Sequence, residues 1–145
     1  MVKCPFCSGE TKVVDKRDGE NSSTRRRREC ESCKRRFTTY ERPNISLAVV
    51  KKDGRREPYN RNKIKSGMLR ACEKRPVSLD TIEQSIDRIE KALLDTDEVT
   101  SSEVGERVMA ELKAMDKVAY IRFASVYRDF NDVTAFEREV RLLKS

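Results

Sequence analysis

Arg25-Arg26-Arg27-Arg28-Glu29-Cys30-Glu31-Ser32-Cys33-Lys34-Arg35-Arg36 decides how the first part of this chain folds. Its Cys30-x-x-Cys33 pair answers an earlier one, Cys4-Pro5-Phe6-Cys7, across 22 intervening residues. Two residues between thiols suit a tight turn around one tetrahedral ion. The separation is slightly longer than the usual ribbon spacing and leaves room for two or three short strands between the knuckles. Residues 1–45 hold few aliphatic side chains and cannot offset their chain entropy by burial alone, whereas a structural zinc site contributes roughly 10 kcal/mol or more in small finger domains. Disulfides fit poorly with a cytoplasmic chain, and a redox dithiol expects a βαβ surround that is missing. Cys4, Cys7, Cys30 and Cys33 are therefore read as the ligands of one structural Zn²⁺, a closed site unsuited to hydrolysis.

Cations crowd the second knuckle, where seven of the twelve residues 25–36 are Lys or Arg. On an extended strand alternate arginines point to opposite faces, so about two of the first four can meet any one surface. A guanidinium fork suits phosphate oxygens and the O6/N7 edge of guanine, and Phe37 and Tyr40 lie close enough in sequence to add stacking. A small ribbon rarely accepts this charge density without an anion to meet it. Arg25, Arg26, Arg27, Arg28, Arg35 and Arg36 are accordingly expected to contact double-stranded DNA. A second reading has them face an acidic protein partner of a nucleotide-regulated adaptor.

Composition bounds the rest. The 145 residues carry 32 Lys+Arg against 25 Asp+Glu, with 37% hydrophobic residues, which allows one modest core plus a small stapled unit. The absence of His removes Ser-His-Asp, Cys-His and His-ligated zinc chemistry. The charge is uneven: residues 1–45 carry +5, 46–75 carry +7 and 76–145 carry −5. A polyanion would thus meet the N-terminal half. No apolar run approaches the roughly 18 to 20 residues of a membrane span, and the start lacks a secretory apolar segment, so a cytoplasmic protein with no membrane partner is expected.

Beyond the Arg42-Pro43-Asn44 linker the pattern changes. Ser46–Lys51 reads as a strand, Asp53-Gly54 as a hairpin turn and Arg55–Pro58 as the returning strand. Asn60 can cap a helix bearing Ile64, Met68, Leu69 and Cys72, which stops before Pro76. Ser78 starts a second, with Ile82, Ile86, Ile89 and Leu93. Thr100 or Ser101 starts a third, with Val104, Val108, Met109 and Leu112. A fourth, capped by Asp116, is apolar around most of its circumference and is expected at the centre of the bundle. The box Thr134-x-x-Glu137 begins a last helix, either packed on its own domain or forming a subunit contact.

The hairpin also brings cations toward a helix start. Lys51 or Lys52, with Lys63, can neutralise a triphosphate beside the oriented N–H groups at Asn60, while Glu57 can accept a hydrogen bond from a base amino group or sugar hydroxyl. Exposed lysines on a hairpin are also what a solvated surface looks like, and spacing alone does not separate the two.

Cys4-Pro5-Phe6-Cys7, the stretch from Arg25 through Arg36-Phe37-Thr38-Thr39-Tyr40-Glu41, and Val50-Lys51-Lys52-Asp53-Gly54, in that order, resemble the NrdR family of bacterial repressors of ribonucleotide reductase genes. The resemblance covers nearly the whole chain. It implies an α+β architecture: a zinc ribbon of short antiparallel strands (residues 1–45), then a mainly helical ATP-cone opening with a β-hairpin (46–136), then a C-terminal helix (137–145). It further implies ATP and dATP as allosteric ligands held by Lys51, Lys52, Glu57, Asn60 and Lys63, with residues near Ser101 and Gly105 bordering the pocket. Nucleotide-dependent homo-oligomerisation would set the affinity for operator DNA, placing the bound protein at the nucleoid, and no enzymatic activity is implied. Where the family commonly has Asp-Ser-Arg after the first strand, this chain has Asp15-Lys16-Arg17.

Overall fold

Residues 2–19, 22–128 and 130–144 are described by the computed structural model. The chain divides into two compact units, Met1–Asn44 and Ile45–Ser145.

In the first unit, β1 (Thr11–Asp18), β2 (Thr24–Cys30) and β3 (Arg36–Glu41) form an antiparallel sheet in the order β1-β2-β3. Two strands thus lie between the cysteine knuckles and the third follows the second knuckle. Each knuckle closes with the same turn. Ser8 N–H donates to the Cys4 carbonyl at 2.8 Å and Lys34 N–H to that of Cys30 at 3.1 Å, and Ser8 and Lys34 both take left-handed φ angles, 63° and 64°. Gly9 lets the two knuckles touch, since a Cβ there would stand 2.9 Å from Ser32 Oγ and 3.1 Å from Cys30 Sγ. Among the described residues of this unit only Cys4, Ser23 and Cys30 are buried. Two of those three are thiols, so the metal site stands where an aliphatic core would otherwise be needed.

In the second unit, β4 (Ala48–Val50) pairs antiparallel with β5 (Arg56–Pro58) across a turn in which Gly54 takes φ +89°. The other edge of β4 pairs in parallel with β6 (Glu98–Thr100), Val49 opposite Val99. This third strand is absent from the sequence reading, because one buried Val99 between Glu98 and Thr100 carries no alternation to detect.

Five helices follow the predicted caps, with one exception. Asn60 caps α1 (Arg61–Ala71), Ser78 caps α2 (Leu79–Leu93), Thr100 caps α3 (Ser101–Met115) and Asp116 caps α4 (Lys117–Tyr127). The exception is α5 (Val133–Lys144). Asp132 Oδ1 accepts from the Ala135 amide at 2.8 Å, taking the capping role expected of Thr134. The expected segment boundary between residues 136 and 137 therefore falls inside one continuous helix.

The core is a single cluster built on Met68, Ile82, Ile86, Met109 and Leu112. Its most deeply buried helix is α2, which buries all four residues of its predicted stripe and Ser85 besides. α4 packs against α1, α3 and α5, the central place its apolar girth predicts, although it fully buries only Ala119, Tyr120 and Ala124 and leaves Val126 84% exposed. Leu69 likewise turns outward, and α1 buries Met68 and Ala71 instead, with Cys72 just past its end. No helix among the described residues is long and apolar enough to cross a membrane.

Candidate functional site

The four thiols of the first unit converge. Cys4 Sγ lies 3.7 Å from Cys33 Sγ, Cys7 Sγ lies 3.5 Å from Cys30 Sγ, and all four sulfurs fall within 4.8 Å of one another. A regular tetrahedron with Zn–S bonds of about 2.3 Å has S···S edges of roughly 3.8 Å, so the set is sized for one zinc and far too open for a disulfide. Backbone amides aim at the sulfurs: Phe6 N–H at Cys4 (3.4 Å), and Ser32 and Cys33 N–H at Cys30 (each 3.3 Å). The Cys33 amide, against the opposing effect of burial, is the main reason the Cys30 thiol is drawn down to about 6. Cys7 moves the other way, to about 11. The Gly9 amide lowers it, but the neighbouring Cys30 sulfur, burial and the remaining two thiols outweigh that pull. A dication among four thiols gathered this closely would favour their thiolate forms.

The arginine strand is the middle strand of the sheet. Cross-strand pairs place Arg25 beside Arg17 and Tyr40, Arg26 beside Lys16 and Thr39, Arg27 beside Asp15 and Thr38, and Arg28 beside Val13 and Phe37. Paired residues share a face, so Arg25 and Arg27 stand on one side of the sheet and Arg26 and Arg28 on the other. Hydroxyls hold two of these side chains without neutralising them: Arg27 Nη1 donates to Thr38 Oγ1 at 2.9 Å and Arg28 Nε to Thr39 Oγ1 at 2.8 Å. Arg26 reaches Glu41 at 3.5 Å and Arg36 reaches Glu29 at 3.6 Å. Arg35 lies 4.7 Å over the exposed ring of Phe6, and Arg42 lies 4.3 Å over Tyr40. Held but uncancelled guanidinium charge is what phosphate contact requires.

In the second unit Lys51, Glu57, Asn60 and Lys63 line one cavity, together with Ser101 and Gly105. Lys52 sits in the hairpin turn, next to Lys51 but outside that lining. Glu57 Oε2 stands 3.5 Å from Lys51 Nζ and 3.2 Å from Lys63 Nζ, and these lysines, Lys63 foremost, hold its carboxyl below the usual range. Asn60 Oδ1 accepts from the Asn62 amide at 2.9 Å. The starts of α1 and α3 both open on the cavity, through Asn60 and Ser101, and helix N-termini carry oriented N–H groups and positive partial charge.

The opposite wall is apolar and was not singled out from sequence: Val49, Ile64, Val104, Val108 and the rings of Tyr59, Phe123 and Tyr127. Phe123 and Tyr127 stack with centroids 5.9 Å apart, and Tyr127 Oη donates to the Ser102 carbonyl at 3.1 Å. Gly105 makes room for this ring, because a Cβ there would lie 2.3 Å from Tyr127. Glycine inside a predicted helix was the signal available. A cationic rim beside an aromatic wall is complementary to a phosphorylated, planar, heteroaromatic ligand.

Comparison with known proteins agrees with both halves. A family model described as transcriptional repressor NrdR-like, N-terminal domain, matches residues 2–41, and one described as ATP cone domain matches residues 47–133. The chain is 56% identical over 147 residues to the transcriptional repressor NrdR of Geotalea daltonii, covering 98% of each chain. It is 53% identical over 149 residues to that of Petrotoga mobilis, covering 99% of each. It is 54% identical over 148 residues to that of Thermotoga neapolitana, covering 99% of this chain and 95% of the relative.

Proposed function

This chain belongs to the NrdR family of transcriptional repressors, with a zinc ribbon and an ATP-cone, and from that premise we propose that it represses ribonucleotide reductase genes by binding their operators under the control of ATP and dATP. The observation that carries the nucleotide half is the convergence of Lys51 and Lys63 on a cavity walled by Phe123 and Tyr127. The lysines hold the phosphates, Lys52 adds to the field from the turn, the two helix starts donate N–H groups, and the aromatic wall takes the base. Glu57 serves as acceptor for a base amino or sugar hydroxyl once the phosphates draw its lysines away, and Asn60 fixes the helix start beside it.

The DNA half rests on the middle strand. Arg25, Arg26, Arg27 and Arg28, with Arg35 and Arg36, contact the duplex, and one structural Zn²⁺ on Cys4, Cys7, Cys30 and Cys33 keeps them in register. Residues 1–45 act as the DNA-binding domain and 46–136 as the nucleotide-binding domain. Residues 137–145 contribute a subunit contact through α5. One ribbon binds weakly, so a nucleotide that favours one homo-oligomer sets how many ribbons engage paired half-sites.

The test sizes the full chain by light scattering without nucleotide, with ATP and with dATP, and measures promoter-fragment binding in each state across a salt series. Occupancy should differ between nucleotides and fall steeply with salt. Arg27→Ala should weaken binding and flatten the salt slope by about one. Identical occupancy in all three states would overturn the proposal.

A further inference from the structure

Four residues along one edge of the nucleotide cavity, Tyr59, Asn60, Lys63 and Ile64, come from the start of α1. Burial holds this turn only in part, through Tyr59 and Ile64, which pack half-buried against the core. The buried residues of α1, Met68 and Ala71, lie in its far half, while Asn60 and Lys63 are exposed. The Asn60 cap is a local bond to Asn62 and ties the turn to nothing else. Beyond the Tyr59 amide, which donates to the Leu47 carbonyl at 2.8 Å, the polar contacts that cross from this turn to another element centre on the side chain of Arg61, which is not itself part of the cavity lining.

Arg61 reaches three carboxylates of α2. Nη2 donates to Glu83 Oε2 at 2.6 Å and to the Glu83 carbonyl at 3.1 Å, and Nη1 lies 2.9 Å from Asp87 Oδ1 and 2.6 Å from Glu90 Oε1. Glu83, Asp87 and Glu90 are all buried, at 2%, 6% and 8% exposure, and their spacing puts them on one face of α2. Lys65 Nζ joins Glu83 at 2.6 Å, and Tyr59 Oη donates to the second oxygen of Glu90 at 2.7 Å. One guanidinium fork therefore fastens the first turn of α1 to α2. Through Glu90 it also fastens Tyr59, whose ring is part of the cavity wall.

This arrangement is costly unless it is used. Gathering three carboxylates out of solvent around Arg61 carries a desolvation penalty that apolar residues of similar volume would not. The geometry is suited to positioning: a planar fork with several fixed partners constrains the direction of the helix start more than a single ammonium would.

We propose that Arg61 is a positioning residue of the nucleotide pocket: through Glu83, Asp87 and Glu90 it presets the edge formed by Tyr59, Asn60, Lys63 and Ile64 for a nucleoside triphosphate it does not touch. The inference rests on the reading of this cavity as the ATP and dATP site. The test measures ATP and dATP affinity of the full chain by calorimetry, well below the melting temperature, for wild type, Arg61→Lys, Glu90→Gln and the double variant. Arg61→Lys keeps the charge and loses the fork, and should weaken both nucleotides roughly tenfold in the folded protein. Glu90→Gln should weaken them roughly threefold, and the double variant should lose less than the product of the two, as members of one unit do. A residue that merely stabilises the fold would lower the melting temperature and leave these affinities unchanged, and that result overturns the proposal. Should Arg61→Lys fail to fold, wild-type affinity in Glu90→Gln overturns it equally. Absence of ATP and dATP binding by the wild type removes the reading of the cavity, and this role with it. Binding by the wild type with no effect of the variants removes this role alone.

Discussion

Lys63→Ala probes the nucleotide reading most directly. Lys51, Lys63 and Glu57 together carry +1 at the rim of the cavity, with Glu57 Oε2 3.5 Å and 3.2 Å from the two ammonium groups. Removing Lys63 brings that local charge to zero and leaves Glu57 and Lys51 paired with each other, so an incoming triphosphate meets no net attraction from this trio. A unit charge pair at 4 Å is worth about 1 kcal/mol in bulk water and about 4 kcal/mol at an effective dielectric of 20. The Lys63 side chain is 65% exposed, which places it nearer the solvated limit. A loss of about 1–2 kcal/mol, or roughly 5- to 30-fold in Kd, is expected. Calorimetry with ATP and with dATP reads it, and light scattering at fixed nucleotide concentration should show the nucleotide-dependent size change abolished. Zinc content should be unaltered. Lys52→Ala, whose side chain lies outside the cavity lining, should cost less. Wild-type affinity and wild-type size changes in Lys63→Ala would refute the placement of the pocket.

Stripping the metal with a strong chelator should dissolve the β1–β3 sheet while the helical far-ultraviolet signal persists; amide exchange resolved by residue would detect it, and retained protection in β2 would contradict a metal-built core. Asp116 caps α4 through the Ala119 amide at 2.9 Å and pairs with Arg75 at 3.0 Å, and Asp116→Ala should cost about 1–3 kcal/mol in urea unfolding. The Ala119 amide first, then Arg75, hold its carboxyl below the ordinary range, so its contribution is complete above pH about 4 and is lost as pH falls through the folded value; Asp116→Asn should flatten that acid limb. Gly105→Ala gains helix propensity of about 1 kcal/mol but sets a methyl 2.3 Å from the Tyr127 ring, so it should displace the ring and weaken nucleotide binding about tenfold, measured by calorimetry against an unchanged zinc content.

The parts of the fold legible in the sequence are those where a local rule acts alone. Four side-chain caps, Asn60, Ser78, Thr100 and Asp116, were readable because each begins an amphipathic run, and a cap needs only the amide two or three residues ahead. Asp132 was missed in favour of Thr134 because Glu137 completes a capping-box pattern, and a pattern does not say whether the turn before it is already capped. β6 is not legible because a three-residue parallel strand is defined by its partner, β4, fifty residues earlier, and not by its own composition. The apolar girth of α4 is legible as a central position, since it meets α1, α3 and α5, but the pattern does not say that Val126 is left to solvent.

The same division runs through the candidate sites. Thiols announce themselves by spacing, since two Cys-x-x-Cys pairs in a chain without His are the set that suits one tetrahedral zinc. Lysines at a phosphate site announce only a charge, and the feature that separates a pocket from a solvated hairpin is the wall behind it. Phe123 and Tyr127 are one helical turn apart, but their meeting with Val49, Ile64 and Val104 is a tertiary fact that depends on Gly105 lacking a side chain. Arg61 is harder still to read. In the sequence it is one more cation in a segment of charge +7, indistinguishable from Arg55 or Arg56. Its partners lie 22 to 29 residues downstream, on a helix whose apolar stripe draws attention to the other faces. In the fold this cation is half-buried and shared among three acids, and that exchange of solvent for fixed partners is what converts one charge of many into a structural coordinate for the pocket beside it.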